Sequence, residues 1–146
     1  MEKIFYNLTN PQKSILLTEQ YYKGTNINNI CGTAIIKETL NFNLLEHAIN
    51  NVIKENDSFR IYLSKKDSNL MQSVKPYQFT PIELVDLKSK NDVSILENST
   101  LSNVFNLEEK LFEFKMFRFP EGNGGFLLNI HHIISDGWTL GLTCRK

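Results

Sequence analysis

Residues 125–138 decide the fold class of this chain, and their sequence is GFLLNIHHIISDGW. The first six form a short apolar run after a glycine-rich turn, which is typical of a buried strand. The adjacent histidines His131 and His132 therefore stand at a strand end, where neighbouring side chains point to opposite faces of a sheet. We expect one imidazole to face a cavity and the other to face the packing behind it. Asp136 and Gly137 complete a compact acid and base set that points to acyl transfer.

The segments before this one predict its sheet partners. Residues 111–119 alternate Phe112, Phe114 and Met116 with residues of the opposite face, which predicts a strand antiparallel to the histidine strand. Residues 30–36 predict a further buried strand. Residues 59–63 and 70–74 predict a hairpin, and the two prolines before residue 82 bracket another extended stretch.

Three helices are predicted between these strands. Asn10 and Pro11 begin the first as N-cap and first-turn proline, and Asn43 with Glu46 forms a capping-box pattern for the second. Residues 92–103 carry a weaker helical pattern. The chain is predicted to be α+β, with helices packed on a largely antiparallel mixed sheet.

Composition narrows the classes of partner. The 146 residues are enough for one domain, and 16 basic residues balance 16 acidic ones, so a nucleic-acid partner is not expected. The sequence has neither a basic N-terminal region with an apolar run nor about 18 consecutive apolar residues, so we expect a cytoplasmic protein without a membrane partner. We expect no metal, since zinc needs three or four ligands and His47 is the only further histidine.

Three ordered motifs carry a resemblance to a known family. His131 to Gly137 matches an HHxxxDG signature, residues 9–16 contain an opening motif with Gln12, and residues 55–60 contain a second motif with Arg60. Leu16, Ile61 and Leu63 depart from the usual residues. The chain resembles the condensation domains of nonribosomal peptide synthetases, members of the chloramphenicol-acetyltransferase-like superfamily.

The resemblance implies a fold, a reaction and partners. Residues 1–146 would be the N-terminal lobe of a two-lobed domain, ending just after the signature, and the missing C-terminal lobe would be a partner. When complete, such a domain forms an amide bond between carrier-bound acyl or aminoacyl thioesters and an aminoacyl acceptor. The implied partners are acyl or peptidyl carrier domains whose phosphopantetheine arms hold the substrates, with no cofactor bound by this chain. We expect the lobe by itself to be inactive and to self-associate through the exposed face.

The resemblance also implies residue roles. His132 would act as general base or would position the amine, since imidazole accepts protons near neutral pH, and His131 would support it. Asp136 would pair with Arg60 as a structural clamp, although a triad carboxylate beside the imidazole is the other interpretation. Gly137 would allow the turn that follows.

Two other functions fit the same residues. The spacing of His132 and Asp136 also occurs in stand-alone acyltransferases that act on free alcohols or amines. A non-catalytic remnant that docks a carrier domain is the third hypothesis.

Overall fold

The structure of the protein, a computed structural model, describes residues 3–135. Asp136 and Gly137 therefore lie outside the described residues. The helices are α1 (Asn10–Tyr21), α2 (Phe42–Glu55) and α3 (Asn91–Leu101), and the strands are β1 (Asn29–Ile36), β2 (Ile61–Lys66), β3 (Asn69–Val74), β4 (Glu83–Asp86), β5 (Phe112–Arg118) and β6 (Gly124–His131). Two short 3-10 helices cover Asp57–Arg60 and His132–Ile134. We call His132–Ile134 the histidine turn.

The main sheet has four strands in the order β1-β6-β5-β4. Strand β6 pairs antiparallel with β1 on one side and with β5 on the other, whereas β4 pairs parallel with β5. Strands β2 and β3 form a separate antiparallel hairpin. The predicted α+β class with a largely antiparallel mixed sheet is confirmed, and β6 occupies the inside of the sheet.

Apolar residues cover both faces of the sheet. The alternation of β5 places Phe112, Phe114 and Met116 in the larger core, which they share with α2 and the hairpin. Phe117 faces the smaller core beneath α3, where it packs with Leu127 of β6. Because both faces of β6 are buried, only the two ends of the strand are open to solvent or to elements outside the sheet.

The start of β6 is a point of close backbone approach. A Cβ atom on Gly124 would lie 2.0 Å from the Phe117 carbonyl oxygen, and one on Gly125 would lie 1.9 Å from the Ala34 carbonyl oxygen. Both distances are far inside van der Waals contact and involve backbone atoms that cannot move independently. Both glycines are therefore required by the packing of β1 and β5 around β6, which for Gly124 is a stronger demand than the turn that the sequence predicted there.

Three local predictions require correction. The N-cap of α1 is Thr9, whose side chain and that of Gln12 form the capping box, rather than Asn10. The N-cap of α2 is Asn41, rather than Asn43. Glu46 consequently does not cap α2, and its carboxylate accepts a hydrogen bond from Ile82 N at 2.8 Å.

The hairpin is present, but its strands differ from the predicted bounds of 59–63 and 70–74. Residues 59 and 60 belong to a 3-10 helix, and the turn is reduced to Asp67 and Ser68 between the paired Lys66 and Asn69. Both turn residues have positive φ, 48° and 67°. This conformation suits the twist of two-residue hairpins, so the strands extend to Lys66 and from Asn69, closer to each other than their predicted ends.

Candidate functional site

The last residue of β6 and the turn after it carry the two histidines. His131 N donates to Leu111 O at 2.9 Å, and His132 N donates to Asn28 O at 2.7 Å. Segments adjoining β5 and β1 thus hold the chain on both sides as it leaves the sheet. The two rings separate here, because His131 is buried and His132 is exposed.

His131 is hydrogen-bonded through both ring nitrogens. Its Nδ1 accepts from Ile133 N at 3.1 Å, so in the neutral ring the proton resides on Nε2, which lies 3.2 Å from Glu19 Oε2. Asn28 Nδ2 donates to the same carboxylate oxygen at 2.7 Å, and Phe105 packs its ring edge-on against the imidazole. The side chain of His131 is 2% exposed and that of Glu19 is 13% exposed.

The surroundings of His131 favour its neutral form. Burial lowers the pKa of His131, and the nearby His132 lowers it further, whereas the hydrogen bond and charge of Glu19 oppose these effects. Protonation would also place a second N–H opposite the Ile133 N–H, which already donates to Nδ1. The ring is therefore suited to hold backbone rather than to exchange protons with a substrate.

His132 has the opposite environment. Its Nδ1 lies 2.7 Å from Ser135 O, and because a carbonyl can only accept, Nδ1 carries the proton. Its Nε2 has no hydrogen-bond partner within the part of the chain that the structure describes. An exposed imidazole with one nitrogen fixed as donor presents the lone pair of the other to a ligand, which is the arrangement needed for a general base.

An open groove of about 420 Å³ runs beside His132. Its apolar surface comes from side chains such as Ile15 and Ile61, and its polar surface includes Gln12, Gln72 and Ser135. Residues of α1, the hairpin and the histidine turn therefore meet at one place.

Gln12 and Gln72 form a paired amide contact, and both residues line this groove. Gln12 Nε2 donates to Gln72 Oε1 at 2.8 Å, and Gln72 Nε2 donates back to Gln12 Oε1 at 3.1 Å. Gln12 Nε2 also donates to Ile133 O at 3.1 Å. The opening-motif glutamine thus contacts the histidine turn directly.

Arg60 lies between the end of α2 and the hairpin. Its guanidinium donates to Lys75 O at 3.0 Å and to Lys54 O at 3.3 Å, and it forms an ion pair with Asp57. Its Nε is buried without a hydrogen-bond partner among residues 3–135. The predicted contact of Arg60 with Asp136 involves a residue outside the described range and stays a prediction.

Sequence reasoning did not identify Glu19, Asn28 or Gln72 as site residues. Each is a single polar residue without a motif, and each contacts the site through a residue that is distant in sequence. Within residues 3–135, no group of three His, Cys, Asp or Glu side chains is arranged to hold a metal ion. No helix in the same range is long and apolar enough to span a membrane.

Comparisons with known proteins give a consistent result. The family model described as "Condensation domain" matches residues 2–146. The chain is 29% identical to surfactin synthase subunit 1 of Bacillus subtilis (strain 168) over 152 residues, covering 97% of this chain and 4% of that protein. It is 25% identical to tyrocidine synthase 3 of Brevibacillus parabrevis over 144 residues, covering 97% of this chain and 2% of that protein. The chain thus spans a small part of these relatives.

Solved structures show the same fold. The starter condensation domain of rhizomide synthetase superposes with a TM-score of 0.86 at 23% identity, over 97% of this chain and 37% of that one. The first condensation domain of the CDA synthetase gives a TM-score of 0.87 at 15% identity, over 96% of this chain and 37% of that one. The chain spans about a third of the length of these structures.

Proposed function

Because the chain belongs to the condensation-domain family, we propose that it supplies one lobe of a domain that forms amide bonds between carrier-bound substrates. The amine nitrogen of an aminoacyl acceptor attacks the carbonyl carbon of a donor thioester. A C–N bond replaces the C–S bond, and the sulfur of the donor arm becomes a thiolate. The amine proton passes to His132 Nε2 and then to this thiolate, so the donor arm leaves as a thiol.

The orientation of the His132 ring is the observation that carries this proposal. The Ser135 carbonyl fixes the proton on Nδ1. Nε2 is then the unprotonated nitrogen of an exposed ring that lines the groove, where an amine could bind. General-base catalysis contributes about 10²–10⁴-fold, and alignment of the two substrates contributes the remainder.

Partner chemistry follows from the groove. Phosphopantetheine arms on carrier domains would bring the thioester and the amine to the site. The groove combines the aliphatic side chains of Ile15 and Ile61 with polar side chains, a mixture that suits a slender arm of methylenes and amides. Carrier domains are therefore the proposed partners.

A second lobe would complete the site. The outer surface of α1 exposes Leu17 by 67% and Tyr21 by 83%, and these residues are four apart and so share one helix face. We propose that this face contacts further structure in the two-lobed domain. In an isolated lobe it would promote self-association.

The proposed clamp between Arg60 and Asp136 rests on the free Nε of Arg60. This nitrogen is a buried donor with no partner in the described range, and a carboxylate would satisfy it. Arg60→Ala should destabilise the fold more than His132→Ala, since Arg60 also bonds two backbone carbonyls. Arg60→Ala/Asp136→Ala should cost less than the sum of the single variants, and strictly additive losses in denaturant melts would rule out the clamp.

Single-turnover kinetics in a two-lobed domain that contains this chain test the function. With donor and acceptor loaded on carrier domains, His132→Ala should slow amide formation by about 10²–10⁴-fold. His47→Ala is the matched control, because His47 is an exposed histidine on α2 that contacts the Phe79 ring. Turnover of the His132 variant within twofold of the parent would exclude His132 as the base.

A further inference from the structure

We propose that Gln12 and Glu19 are positioning residues that hold the histidine turn through both backbone polar groups of Ile133. Ile133 directly follows His132, so fixing its backbone fixes the ring beside it. The effect on catalysis rests on the proposed function of His132, whereas the effect on ring geometry does not.

Glu19 holds the N–H side of Ile133. The Ile133 N–H donates to His131 Nδ1 at 3.1 Å, and His131 Nε2 lies 3.2 Å from Glu19 Oε2. Because a carboxylate accepts and does not donate, Glu19 selects the tautomer that carries its proton on Nε2. Only that neutral tautomer leaves Nδ1 free to accept from Ile133, so the carboxylate controls a backbone contact through the ring.

Gln12 holds the C=O side of Ile133. Its Nε2 donates to Ile133 O at 3.1 Å, and its Oε1 accepts from Thr9 N at 2.9 Å. The reciprocal bonds with Gln72 occupy the second N–H of the Gln12 amide and the second lone pair of its oxygen. An amide bonded at both ends cannot rotate without losing several hydrogen bonds, so the donor to Ile133 is fixed in direction.

Both residues belong to the same rigid element. Gln12 and Glu19 are seven positions apart on α1, which is close to two helical turns and places them on one face. None of the residues of α1 is fully buried, although Ile15 and Leu16 pack against the larger core. The helix adds directional polar contacts at the histidine turn through Gln12 and Glu19, which fits a positioning element.

Positioning on this scale matters for the reaction. A displacement of about 1 Å can cost about 10²-fold in rate, because alignment of reacting groups supplies much of the acceleration. Without the two contacts, the turn would be held by His132 N on Asn28 O and by its own short-range bonds. The His132 ring would then sample several directions instead of one.

The test compares Glu19→Leu, which removes the acceptor, with Glu19→Gln, which retains an acceptor oxygen. Ring-nitrogen NMR of the full chain reports the tautomers of both histidines, and single-turnover kinetics in the two-lobed domain report the rate. Glu19→Leu should weaken the Nε2–H preference of His131, because only the Ile133 N–H then supports it. It should also weaken the Nδ1–H signal of His132 and lower the single-turnover rate about 10²-fold, without changing the carrier concentration that gives half the maximal rate. Glu19→Gln should restore both signals and bring the rate to within a few fold of the parent.

Gln12→Glu tests the other contact and covers the case in which Glu19→Leu does not fold. It retains the acceptor for Thr9 N but replaces the donor to Ile133 with a carboxylate oxygen. The same loss of the His132 signal and a similar loss of rate are expected. Glu97→Gln is the control, because Glu97 is a half-buried carboxylate on α3 that accepts from the Thr33 hydroxyl.

The outcomes separate the two proposals. If His132→Ala abolishes turnover but Gln12→Glu and the folded Glu19 variants leave the ring signals and the rate unchanged, the positioning role is overturned. If the variants alter the His132 ring but His132→Ala does not alter turnover, the positioning role stands and the proposed function fails. Equal losses of rate and of ring-nitrogen signal in Glu19→Leu and Glu19→Gln would also overturn the argument that Glu19 selects the tautomer of His131.

Discussion

The two ends of strand β6 are held by different forces. At its start, Gly124 and Gly125 allow the neighbouring backbones to approach so closely that no side chain fits. At its end, His131 is held by directional hydrogen bonds to Ile133 and Glu19. The start depends on excluded volume, whereas the end depends on donors, acceptors and charge.

This difference explains what each end can do. Tight steric packing has one solution and tolerates no variation, so it suits a purely structural role. Hydrogen-bonded polar groups respond to protonation and to the replacement of a single atom. The end that carries the candidate site is accordingly the end whose geometry can be altered without disrupting the sheet.

The largest expected effect is at the glycine end. Gly125→Ala should lower the free energy of unfolding by about 4 kcal/mol, more than the usual cost of overpacking, because the new methyl group meets the Ala34 carbonyl and not a mobile side chain. Denaturant melts of the purified chain measure the loss. A loss below about 1 kcal/mol would contradict the claim that excluded volume holds the start of β6.

Gly24→Ala is the control for that experiment. Gly24 has a φ of 77°, but a Cβ atom added there would meet no other atom within 4 Å, so only backbone strain is added. The expected cost is about 1–2 kcal/mol. A loss equal to that of Gly125→Ala would show that conformation, not close approach, explains both glycines.

At the histidine end, the two rings should respond unequally. His131→Leu should lower the free energy of unfolding by about 2–3 kcal/mol, because it leaves the Ile133 N–H and the Glu19 carboxylate without their buried partner. His132→Leu should change it by no more than about 0.5 kcal/mol, since that ring is exposed. Equal losses in urea melts would contradict the division of the two rings into buried and open environments.

The histidine end of β6 should also make the free energy of unfolding depend on pH. The pKa of His131 lies below its ordinary value of 6.5, mainly through burial, so the unfolded chain binds this proton at a higher pH than the folded chain does. The stability is therefore complete above about pH 6.5 and decreases as the pH falls below it, by less than about 1.4 kcal/mol per pH unit.

Urea melts from pH 7.5 to 5 measure this dependence, and Glu19 and His132 are the charged groups that face the ring. His131→Leu should flatten the part of the profile below pH 6.5, while His47→Leu should leave it unchanged. Gly125→Ala should shift the whole profile without altering its slope. A slope that survives in the His131 variant would assign it to other groups.

The smallest expected effect lies away from β6, in the hairpin turn. Asp67→Asn/Ser68→Gly should raise the free energy of unfolding by about 0.5–1 kcal/mol, because both positions have positive φ and Asn-Gly is the preferred pair there. Ser102→Gly is the control, since its φ of −70° gives glycine no advantage. If thermal melts show the same change in stability for the hairpin variant and for Ser102→Gly, positive φ does not explain the gain.

Much of the fold follows from local patterns. The alternation in β5 predicted its pairing with β6, and the apolar run before His131 predicted a strand, because both signals repeat at the period of the sheet. The helix starts were misplaced by one or two residues, since Thr9, Asn10, Asn41 and Asn43 are all residue types that can cap. The hydrogen bonds that decide which of these residues caps each helix cannot be read from the residue types alone.

The candidate site was only partly predictable. The spacing of the histidines predicted opposite environments for the two rings, and the rings are indeed one buried and one exposed. The partner of His131 could not be predicted, because Glu19 is 112 positions away and resembles any other helical glutamate. Gln12 was recognised from its motif, but its contact with Ile133 depends on how α1 packs against the turn.

The position of β6 inside the sheet has a kinetic consequence. Each residue of β1 meets its partner roughly 90–100 positions later, so this pairing closes a long loop and is expected to be slow. The β2–β3 hairpin needs only local contacts and should form early. Until β6 joins, the inner edges of β1 and β5 are unpaired and open to intermolecular association. We therefore expect the strand that carries the histidines to complete the sheet, and the site and the sheet to form in the same late folding step.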